Sequence, residues 1–474
     1  MKKNIVTLTD SYKMCHAAMY PTNTEFVYSY FEARPGSEFD KTTFFGLQYL
    51  IKNWLEGEVV TTEGIDKAEK LANRHFGNDK IFNRARWDYI VEKHNGRLPV
   101  EICAVPEGSV IPINNVMMTV VNTDPECYWL TNHLETLLCQ VWYPSTVATK
   151  SRATKEMFEK YLEQTSDNKD GIDFMLHDFG MRGVSSMESA GIGGAGHLLN
   201  FLGTDTVIAM EYIEEYYGGI ETGFSVPATE HSVMTARGEA GEVEVIEQLL
   251  QNHPTGILSV VSDSYDIYRC VDEYYGVKFK EQILARDGKF VVRPDSGDPV
   301  EVVCGNLKDY STTLQEEGLL RILWRRFSGT LNSKGYKVLN PKIGLIWGDG
   351  IDIDGIEAVL KGARAIGFDI SNLVFGQGGG LLQKLNRDTQ RFAFKSSAQK
   401  VKGEEWKDIF KDPLDSSKKS KRGKLALMKS KDGEYMTTRL TTNNIKHDVM
   451  HCVFKDGTLM VDYDFDEVKG NSTN

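Results

Sequence analysis

The sequence lacks the features that mark several classes of protein. Its seven cysteines include no CxxC pair, which argues against a zinc site or a disulfide framework, so we expect reduced thiols in a reducing compartment. No apolar run approaches the length that spans a bilayer, and the N-terminal residues contain no signal-peptide core. The formal net charge of -12 argues against a nucleic-acid partner. We expect a cytoplasmic protein without nucleic-acid or membrane partners.

Two familiar phosphate-binding motifs are also missing, GxxxxGK[ST] and a GxGxxG that follows a first strand. A different glycine run, Gly376–Gly380, follows an apolar strand and precedes a short predicted helix. Its backbone N–H groups, including those of Gly378 and Gly379, would suit an anion. Glycine runs also make tight turns in barrels, so the pattern alone leaves both interpretations open.

Apolar runs that end in polar or glycine residues recur between residues 171 and 388. The length of 474 residues and the hydrophobic fraction of 41% fit a globular enzyme of two or three domains. Helical patterns separate the runs, and helix-separated parallel strands favour a barrel. The predicted strands are Ile257–Val261, Phe290–Val292, Ile343–Trp347 and Leu373–Phe375, and the predicted helices are Tyr265–Tyr275, Glu316–Arg326 and Ile353–Gly367. Because the repeat is incomplete, we predict an α/β protein with an irregular (β/α) barrel.

The remaining segments predict an α+β domain. Residues 1–170 combine a helical pattern at 45–95, short antiparallel strands at 98–122 and a helix from Glu126 to Tyr143. Residues 389–474 contain a basic run followed by β-like segments. We expect this C-terminal segment to pack with the N-terminal domain.

The stretch from His177 to Thr206 carries the densest set of reactive side chains. We predict a strand at Phe174–Leu176 and a small-residue helix from Val184 to Asn200, with Phe179 and Asp205 at strand ends. An aromatic heterocycle could stack on Phe179 while an amide N–H donates to Asp205. Ordinary core packing of Phe179 is the alternative.

Three further groups of residues suggest a phosphorylated substrate. Arg293 and Asp295 follow one strand, where arginine can bind phosphate and aspartate can hold ribose hydroxyls or magnesium. Asp349 lies between two glycines after another strand. His231 follows Glu230, and Asp263 at a neighbouring strand end could orient it as a nucleophile or proton acceptor. A structural Arg–Asp pair and a hydrogen-bonded core histidine remain the alternatives.

Together these motifs resemble one family, the nicotinamide phosphoribosyltransferases, which are type II phosphoribosyltransferases. The resemblance covers nearly the whole chain. It runs through NIVTLTDSYKMCH, VYSYFEARP, NTDPECYWLTN, WYPSTVATKSR, LHDFGMRGVSS, GTDTV, SVPATEHS, VVSDSYDIY, VRPDSGDP, GDGID, FGQGGGLLQKLNRD, KDP and HCVFKDG.

The resemblance implies a pentosyltransferase reaction. Nicotinamide and phosphoribosyl pyrophosphate would give nicotinamide mononucleotide and pyrophosphate with Mg²⁺, and ATP would stimulate the reaction through a phosphohistidine. It also implies a homodimer with shared active sites, acting in NAD salvage.

The resemblance also assigns roles to individual residues. Phe179 and Tyr12 of the partner subunit would enclose the pyridine ring, and Asp205 would accept the carboxamide N–H. His231 would be phosphorylated with support from Glu230 and Asp263. Asp295 is the candidate metal ligand, with magnesium held mainly through the pyrophosphate. The residues expected around the phosphoribosyl and pyrophosphate groups are Arg293, Asp295, Gly348, Asp349, Gly378, Gly379, Arg182, Ser225, Arg387, Lys395, Lys418 and, across the dimer, Arg34.

Three alternatives remain. A nicotinate phosphoribosyltransferase would share the fold, but the Asp205 carboxylate would repel the carboxylate of nicotinic acid. A non-catalytic extracellular signalling role is less consistent with the complete set of site residues and the absence of a signal peptide. A barrel lyase acting through a Schiff base would need a strand-end lysine, and the sequence offers no convincing one.

Overall fold

The computed structural model describes residues 4–308, 310–411 and 419–473. These residues form two units, each with its own large sheet. The first unit draws on the chain up to Thr149, on Tyr212–Ile220 and on the chain from Leu385 onward, and the second comprises Lys150–Glu211 and Glu221–Lys384. The domain boundaries after residues 170 and 388 stay predictions from the sequence pattern.

An antiparallel sheet joins the two ends of the chain in the first unit. Thr24–Ala33 lies between a strand of the C-terminal segment and a strand of the N-terminal third, and its residues from Val27 to Ala33 are all buried. In order across the sheet, the seven strands are Lys407–Asp408, Phe392–Val401, Thr24–Ala33, Val116–Asn122, Val100–Ala104, His451–Lys455 and Thr458–Leu459. The predicted α+β domain is therefore confirmed, with the C-terminal segment contributing strands to the same sheet.

Helices of the first unit begin and end at residues with strong capping preferences. Thr61 accepts the N–H of Gly64 at the start of Thr62–Phe76, and Gly77 ends that helix in the left-handed conformation. The other elements are Ile5–Thr7, Ser11–Ala18, Leu47–Leu50, Ile51–Leu55, Arg84–His94, Pro125–Cys127, Leu130–His133, Glu135–Leu138, Cys139–Val141 and Phe465–Thr473, with the strand pairs Lys41–Thr43/Val110–Pro112 and Leu425–Lys429/Tyr435–Arg439. The predicted helix Glu126–Tyr143 is instead divided into short α- and 3-10-helical segments, and its last two residues begin the long helix Trp142–Thr165.

A parallel sheet of six strands forms the second unit. Its four longer strands are mostly apolar and buried, as expected for strands that are covered on both faces. Their order is Gly203–Thr204, Leu176–Asp178, Leu373–Gln377, Ile343–Trp347, Phe290–Arg293 and Leu258–Val261. The strand predicted at Phe174–Leu176 lies two residues later, because Ile172–Phe174 forms a 3-10 turn.

One short segment, residues 224–229, closes this sheet. Phe224 forms a parallel bridge with Gly203 at one edge, and Ala228 forms another with Ser259 at the opposite edge. Backbone hydrogen bonds support both bridges, from Thr204 N to Phe224 O (3.0 Å) and from Thr229 N to Ser259 O (3.0 Å). The sheet therefore curls into the irregular barrel that the sequence predicts.

Polar caps start many of the helices in the second unit. Ser186, Asp266, Asp298 and Asp352 each accept backbone N–H groups at a helix start. The helical segments are Met187–His197, Val207–Tyr217 (shared with the first unit), His231–Met234, Glu242–Asn252, Ile267–Arg269, Cys270–Lys278, Lys280–Ala285, Pro299–Cys304, Leu314–Glu317, Leu319–Phe327, Ile353–Ala365 and Gly379–Leu382, and Gly329–Leu331 pairs with Lys337–Leu339. The helix predicted at Glu316–Arg326 is divided by Gly318, which has a φ of 76°. Among the described helices, none is both long and apolar enough to cross a membrane.

The core of the barrel contains a fully buried histidine. In its neutral form, His197 donates from Nε2 to the carbonyl of Gly203 (3.1 Å) and accepts at Nδ1 from the Ser151 hydroxyl (3.0 Å). Burial lowers the pKa of His197 to about 3. Burial therefore keeps the imidazole neutral where it links two helices and a strand.

We expect acid to destabilise the second unit through His197. Because its folded-state pKa lies below the ordinary value of 6.5, the unfolded chain binds the extra proton, and stability falls as the pH drops from 6.5 towards 3. One such group contributes a slope of up to about 1.4 kcal/mol per pH unit. His197→Gln should reduce the slope of unfolding free energy between pH 7 and pH 5, measured by urea unfolding.

The exposed His75, changed to Gln, is the matched control and should leave the slope unchanged. An unaltered slope in His197→Gln would remove His197 from the acid response.

Candidate active site

The carboxyl ends of the parallel strands meet around one pocket in the second unit. Its volume is roughly 1760 Å³ including the open mouth. The predicted residues that line it are Phe179, Arg182, Asp205, Glu230, Arg293, Gly348, Asp349, Gly378 and Gly379. Parallel barrels place their sites at this rim, because every strand delivers its C-terminal residues to the same side.

The ring of Phe179 lies directly against a glycine backbone. A Cβ atom added to Gly376 would come within 1.9 Å of Phe179 Cε2, so a side chain at position 376 would displace the ring. The Phe179 N–H donates to the carbonyl of Gln377 (3.1 Å), which fixes the turn that follows the strand. Phe179 is half-buried, so its ring still contributes to the pocket wall.

Arg293 lies between that ring and a carboxylate. Its guanidinium carbon is 5.3 Å from the centre of the Phe179 ring, and its Nη2 is 3.1 Å from Asp295 Oδ1. A Cβ atom at Gly348 would lie 2.6 Å from Arg293 Nε and 3.0 Å from Asp295 Oδ1. Gly348 therefore leaves room for the ion pair beside the neighbouring strand.

His231 contacts a second carboxylate on the same rim. Its Nε2 lies 3.0 Å from Asp263 Oδ1, and its Nδ1 lies 3.9 Å from Asp295 Oδ2. The imidazole is 48% exposed, whereas the Asp263 side chain is only 5% exposed. The other oxygen of Asp263 accepts the Ser296 hydroxyl, which leaves Oδ1 to orient His231. Glu230 lines the pocket, where its Oε1 accepts the Ser232 hydroxyl.

Asp205 extends from the edge strand of the barrel. Its backbone N–H donates to the carbonyl of Asp178 (2.9 Å), and its carboxylate accepts the hydroxyl of Ser225 from the closing segment. Asp205 is exposed to the pocket. A carboxylate in this position can accept N–H donors from a ligand.

The glycine run forms one wall beside the turn that carries Arg182. Gly378 precedes the short helix Gly379–Leu382, and a Cβ atom at the neighbouring Gly183 would lie 3.4 Å from the N atom of Gly379. Arg182 is exposed in the turn Met181–Gly183, and the Asp349 side chain is exposed between its flanking glycines. These elements combine accessible backbone with a cation and a carboxylate, which suits a phosphorylated ligand.

Four of the predicted residues lie in the described part of the first unit. Tyr12 is exposed on the 3-10 helix Ser11–Ala18, and Arg34 donates to the carbonyl of Arg391 (3.0 Å). Arg387 contacts Asp388 (3.3 Å), and burial lowers the pKa of Lys395 on the strand Phe392–Val401. Lys418 lies outside the described residues.

The sequence interpretation missed three residues that shape the pocket. Gly376 and Ser296 lie inside motifs that were recognised, but their contacts depend on distant strands. Asp178 is fully buried beneath the turn after its strand, where it accepts the N–H of Gly180 (2.7 Å), and burial raises its pKa to about 6. The sequence signal that could have indicated Asp178 was a carboxylate beside Phe179 at the end of an apolar strand.

Comparison with known proteins shows which family the chain matches. Residues 174–458 match the model described as the nicotinate phosphoribosyltransferase (NAPRTase) family, and residues 4–102 match the nicotinamide phosphoribosyltransferase N-terminal domain. A nicotinamide phosphoribosyltransferase of Xanthomonas campestris is 42% identical, with 99% of this chain and 98% of that protein covered. One of Acinetobacter baylyi is 38% identical, with 98% and 96% covered.

The chain belongs to the nicotinamide phosphoribosyltransferase family. Solved structures support the same fold at much lower identity. A nicotinate-nucleotide pyrophosphorylase from Pyrococcus furiosus has a TM-score of 0.58 at 14% identity, covering 99% of this chain and 95% of that one. Human nicotinic acid phosphoribosyltransferase has a TM-score of 0.55 at 15% identity, with 98% and 93% covered.

The contact between Gly376 and Phe179 generates a stability prediction. Gly376→Ala should lower the free energy of unfolding by about 1–3 kcal/mol, because the added methyl group overpacks against the ring. Gly379→Ala is the matched control, since its nearest neighbour would lie 4.0 Å from the new Cβ atom.

Urea unfolding of both variants measures the difference. Equal stability of Gly376→Ala and Gly379→Ala would contradict the close approach.

Proposed function

We propose that this protein transfers the 5-phosphoribosyl group from phosphoribosyl pyrophosphate to nicotinamide, giving nicotinamide mononucleotide and pyrophosphate in NAD salvage. The observation that carries the proposal is that the Phe179 ring and the Asp205 carboxylate line the same pocket. Membership of the family supports the reaction class, and the names of the two bacterial relatives support the substrate.

The two side chains suit different parts of nicotinamide. The flat pyridine ring stacks on Phe179, and the carboxamide N–H donates to Asp205. Nicotinic acid instead carries a carboxylate, which Asp205 would repel within a partly desolvated pocket. Nicotinate phosphoribosyl transfer on the same fold is therefore the less favoured alternative.

The transfer itself needs no covalent protein nucleophile. The pyridine nitrogen attacks C1 of the ribose while the bond from C1 to the pyrophosphate oxygen breaks. The residues of the pocket align the ring with C1 and stabilise the charge on the leaving pyrophosphate. Arg182 and Arg293 supply positive charge, and the backbone at Gly378 and Gly379 approaches the 5-phosphate.

Magnesium fits the donor set at the rim. Asp349 is exposed, and Asp295 presents Oδ2 while Oδ1 faces Arg293, so both offer the carboxylate oxygens that this hard cation prefers. Asp295 is the proposed ligand, with the ion bound mainly through the pyrophosphate. When bound, magnesium neutralises charge on the departing pyrophosphate.

The proposal gives His231 a separate role in stimulation by ATP. A ring nitrogen of His231 attacks the γ-phosphorus of ATP, and ADP leaves. The Asp263 carboxylate beside Nε2 favours the positively charged ring that forms, and the exposure of the imidazole permits the donor to approach.

The proposal also includes a homodimer with shared active sites. Tyr12 and Arg34 would come from the partner subunit, and the exposure of the Tyr12 ring is compatible with that role. The resemblance also implies three phosphate ligands, which we keep in the proposal: Arg387, Lys395 and Lys418.

One product assay tests the central proposal. Phosphoribosyl pyrophosphate and Mg²⁺ are combined with nicotinamide or with nicotinic acid, each with and without ATP, and the mononucleotides are quantified. We expect turnover of nicotinamide. Turnover of nicotinic acid alone would overturn the specificity, and turnover of neither would overturn the reaction.

Asp205→Asn should weaken the discrimination against nicotinic acid. Removing the negative charge removes a repulsion of about 2 kcal/mol, so the ratio of kcat/KM for nicotinamide over nicotinic acid should fall roughly 30-fold. Competing-substrate assays measure this ratio.

The exposed Asp354 on the outer helix, changed to Asn, controls for loss of one negative charge. An unchanged ratio in Asp205→Asn would remove Asp205 from substrate choice.

His231→Ala should abolish the ATP effect while basal transfer continues, because the transfer step uses no protein nucleophile. Asp263→Asn should weaken the effect, because an amide keeps the hydrogen bond to His231 but loses the charge. Product formation with and without ATP, together with acid-labile radiolabelled phosphate on the protein, provides the measurement. Full stimulation of His231→Ala would assign the phosphate acceptor elsewhere.

A further inference from the structure

Two cysteines face each other across the antiparallel sheet of the first unit. Cys103 on Val100–Ala104 is the direct register partner of Cys452 on His451–Lys455. Directly opposed residues in antiparallel strands have Cα atoms about 4.5–5.5 Å apart, and disulfides span about 4.4–6.8 Å between Cα atoms. The register, which is regular at this pair and shifts only after Cys452, is therefore compatible with a bond between these two sulfurs.

The two side chains share the more accessible face of their strands. Along Val100–Ala104 the alternate residues Val100, Ile102 and Ala104 are buried, whereas Glu101 and Cys103 are partly exposed. Cys452 is also partly exposed, and the pairing of the strands continues on this face with Lys455 Nζ at 2.8 Å from Glu101 Oε2. Neither cysteine is in a disulfide, and both residues are partly exposed.

The neighbours give the two thiols different reactivity. The hydrogen bond between the pair lowers the pKa of Cys452, and Lys455 acts in the same direction, while burial and Glu101 oppose the change. The same hydrogen bond and burial raise the pKa of Cys103, as do Glu101 and Asp448. We therefore expect Cys452 to attack first, with Cys103 as the resolving thiol.

We propose that Cys103 and Cys452 form a reversible disulfide by exchange with a low-molecular-weight disulfide of the glutathione class. The Cys452 thiolate attacks one sulfur of the small disulfide, forms a mixed disulfide and releases one small thiolate. Cys103 then loses its proton and attacks the Cys452 sulfur, which expels the second small thiol. Two protein thiols are oxidised, and one small disulfide is reduced to two thiols.

The bridge would join the N-terminal third of the chain to its C-terminal segment. The sheet already holds these strands together in the folded protein, so the main effect falls on the unfolded chain, whose freedom a bond between residues 103 and 452 restricts. We therefore expect the oxidised protein to unfold at a higher temperature than the reduced protein. Neither cysteine lines the pocket of the second unit, so the test is independent of the proposed reaction.

Peptide mapping of the full-length protein tests the proposal. Reduced protein is equilibrated in buffers of reduced and oxidised glutathione, quenched with acid, alkylated and digested. We expect two of the seven thiols to escape alkylation and one bridged peptide pair to contain Cys103 and Cys452. Full alkylation of both, or a mixed disulfide on Cys452 that never resolves, would overturn the bridge.

Two variants separate the roles of the sulfurs. Cys103→Ser should leave Cys452 carrying a glutathionyl group, whereas Cys452→Ser should leave Cys103 unmodified. The reverse pattern would refute the order of attack. Cys139→Ser is the control and should form the same bridge as the wild-type protein. If a variant folds poorly, the peptide map of the wild-type protein still decides whether Cys103 and Cys452 form a disulfide.

Discussion

The closure of the parallel sheet by residues 224–229 is the constraint on which the site depends. A parallel sheet aligns the carboxyl ends of its strands, but an open sheet would leave its two edges far apart. The closing segment bridges to Gly203 at one edge and to Ser259 at the other. Ser225 within the segment donates to Asp205 at one edge, and His231, two residues after the segment, contacts Asp263 at the other. The same short segment therefore completes the barrel and links the two ends of the site.

Close backbone approach lets this small barrel hold large functional groups at its rim. Gly376 leaves space for the Phe179 ring, and Gly348 leaves space for the pair formed by Arg293 and Asp295. Because Arg293 is held by Asp295 beneath the ring, its positive charge remains in the pocket of a protein whose net charge is negative. Local arrangement of charge, rather than net charge, determines which ligand such a pocket suits.

Much of the barrel could be predicted from the sequence, because its strands are apolar runs that end abruptly in polar residues. Ile343–Trp347 has the predicted bounds, and Leu258–Val261 differs from the prediction by one residue. The order of the strands could not be predicted, because it depends on pairing between distant segments. The prediction of one continuous helix at Glu126–Tyr143 was wrong, because a periodic apolar pattern does not distinguish a continuous helix from successive short helical segments.

The difference between local patterns and long-range contacts also explains which residues of the site could be predicted from the sequence. Phe179, Asp205 and Arg293 stand where strands end, so a local pattern indicates them. The contact of Gly376 with Phe179 joins two strands nearly two hundred positions apart in the sequence, and no local signal reports it. His231 is different again, because it begins the helix that follows the closing segment rather than standing at a strand end. In the proposed mechanism the two groups of residues have different tasks. The residues at the strand ends hold the reacting ring and ribose. The half-exposed imidazole of His231, beside the closing segment, can then contact the phosphate donor without displacing them.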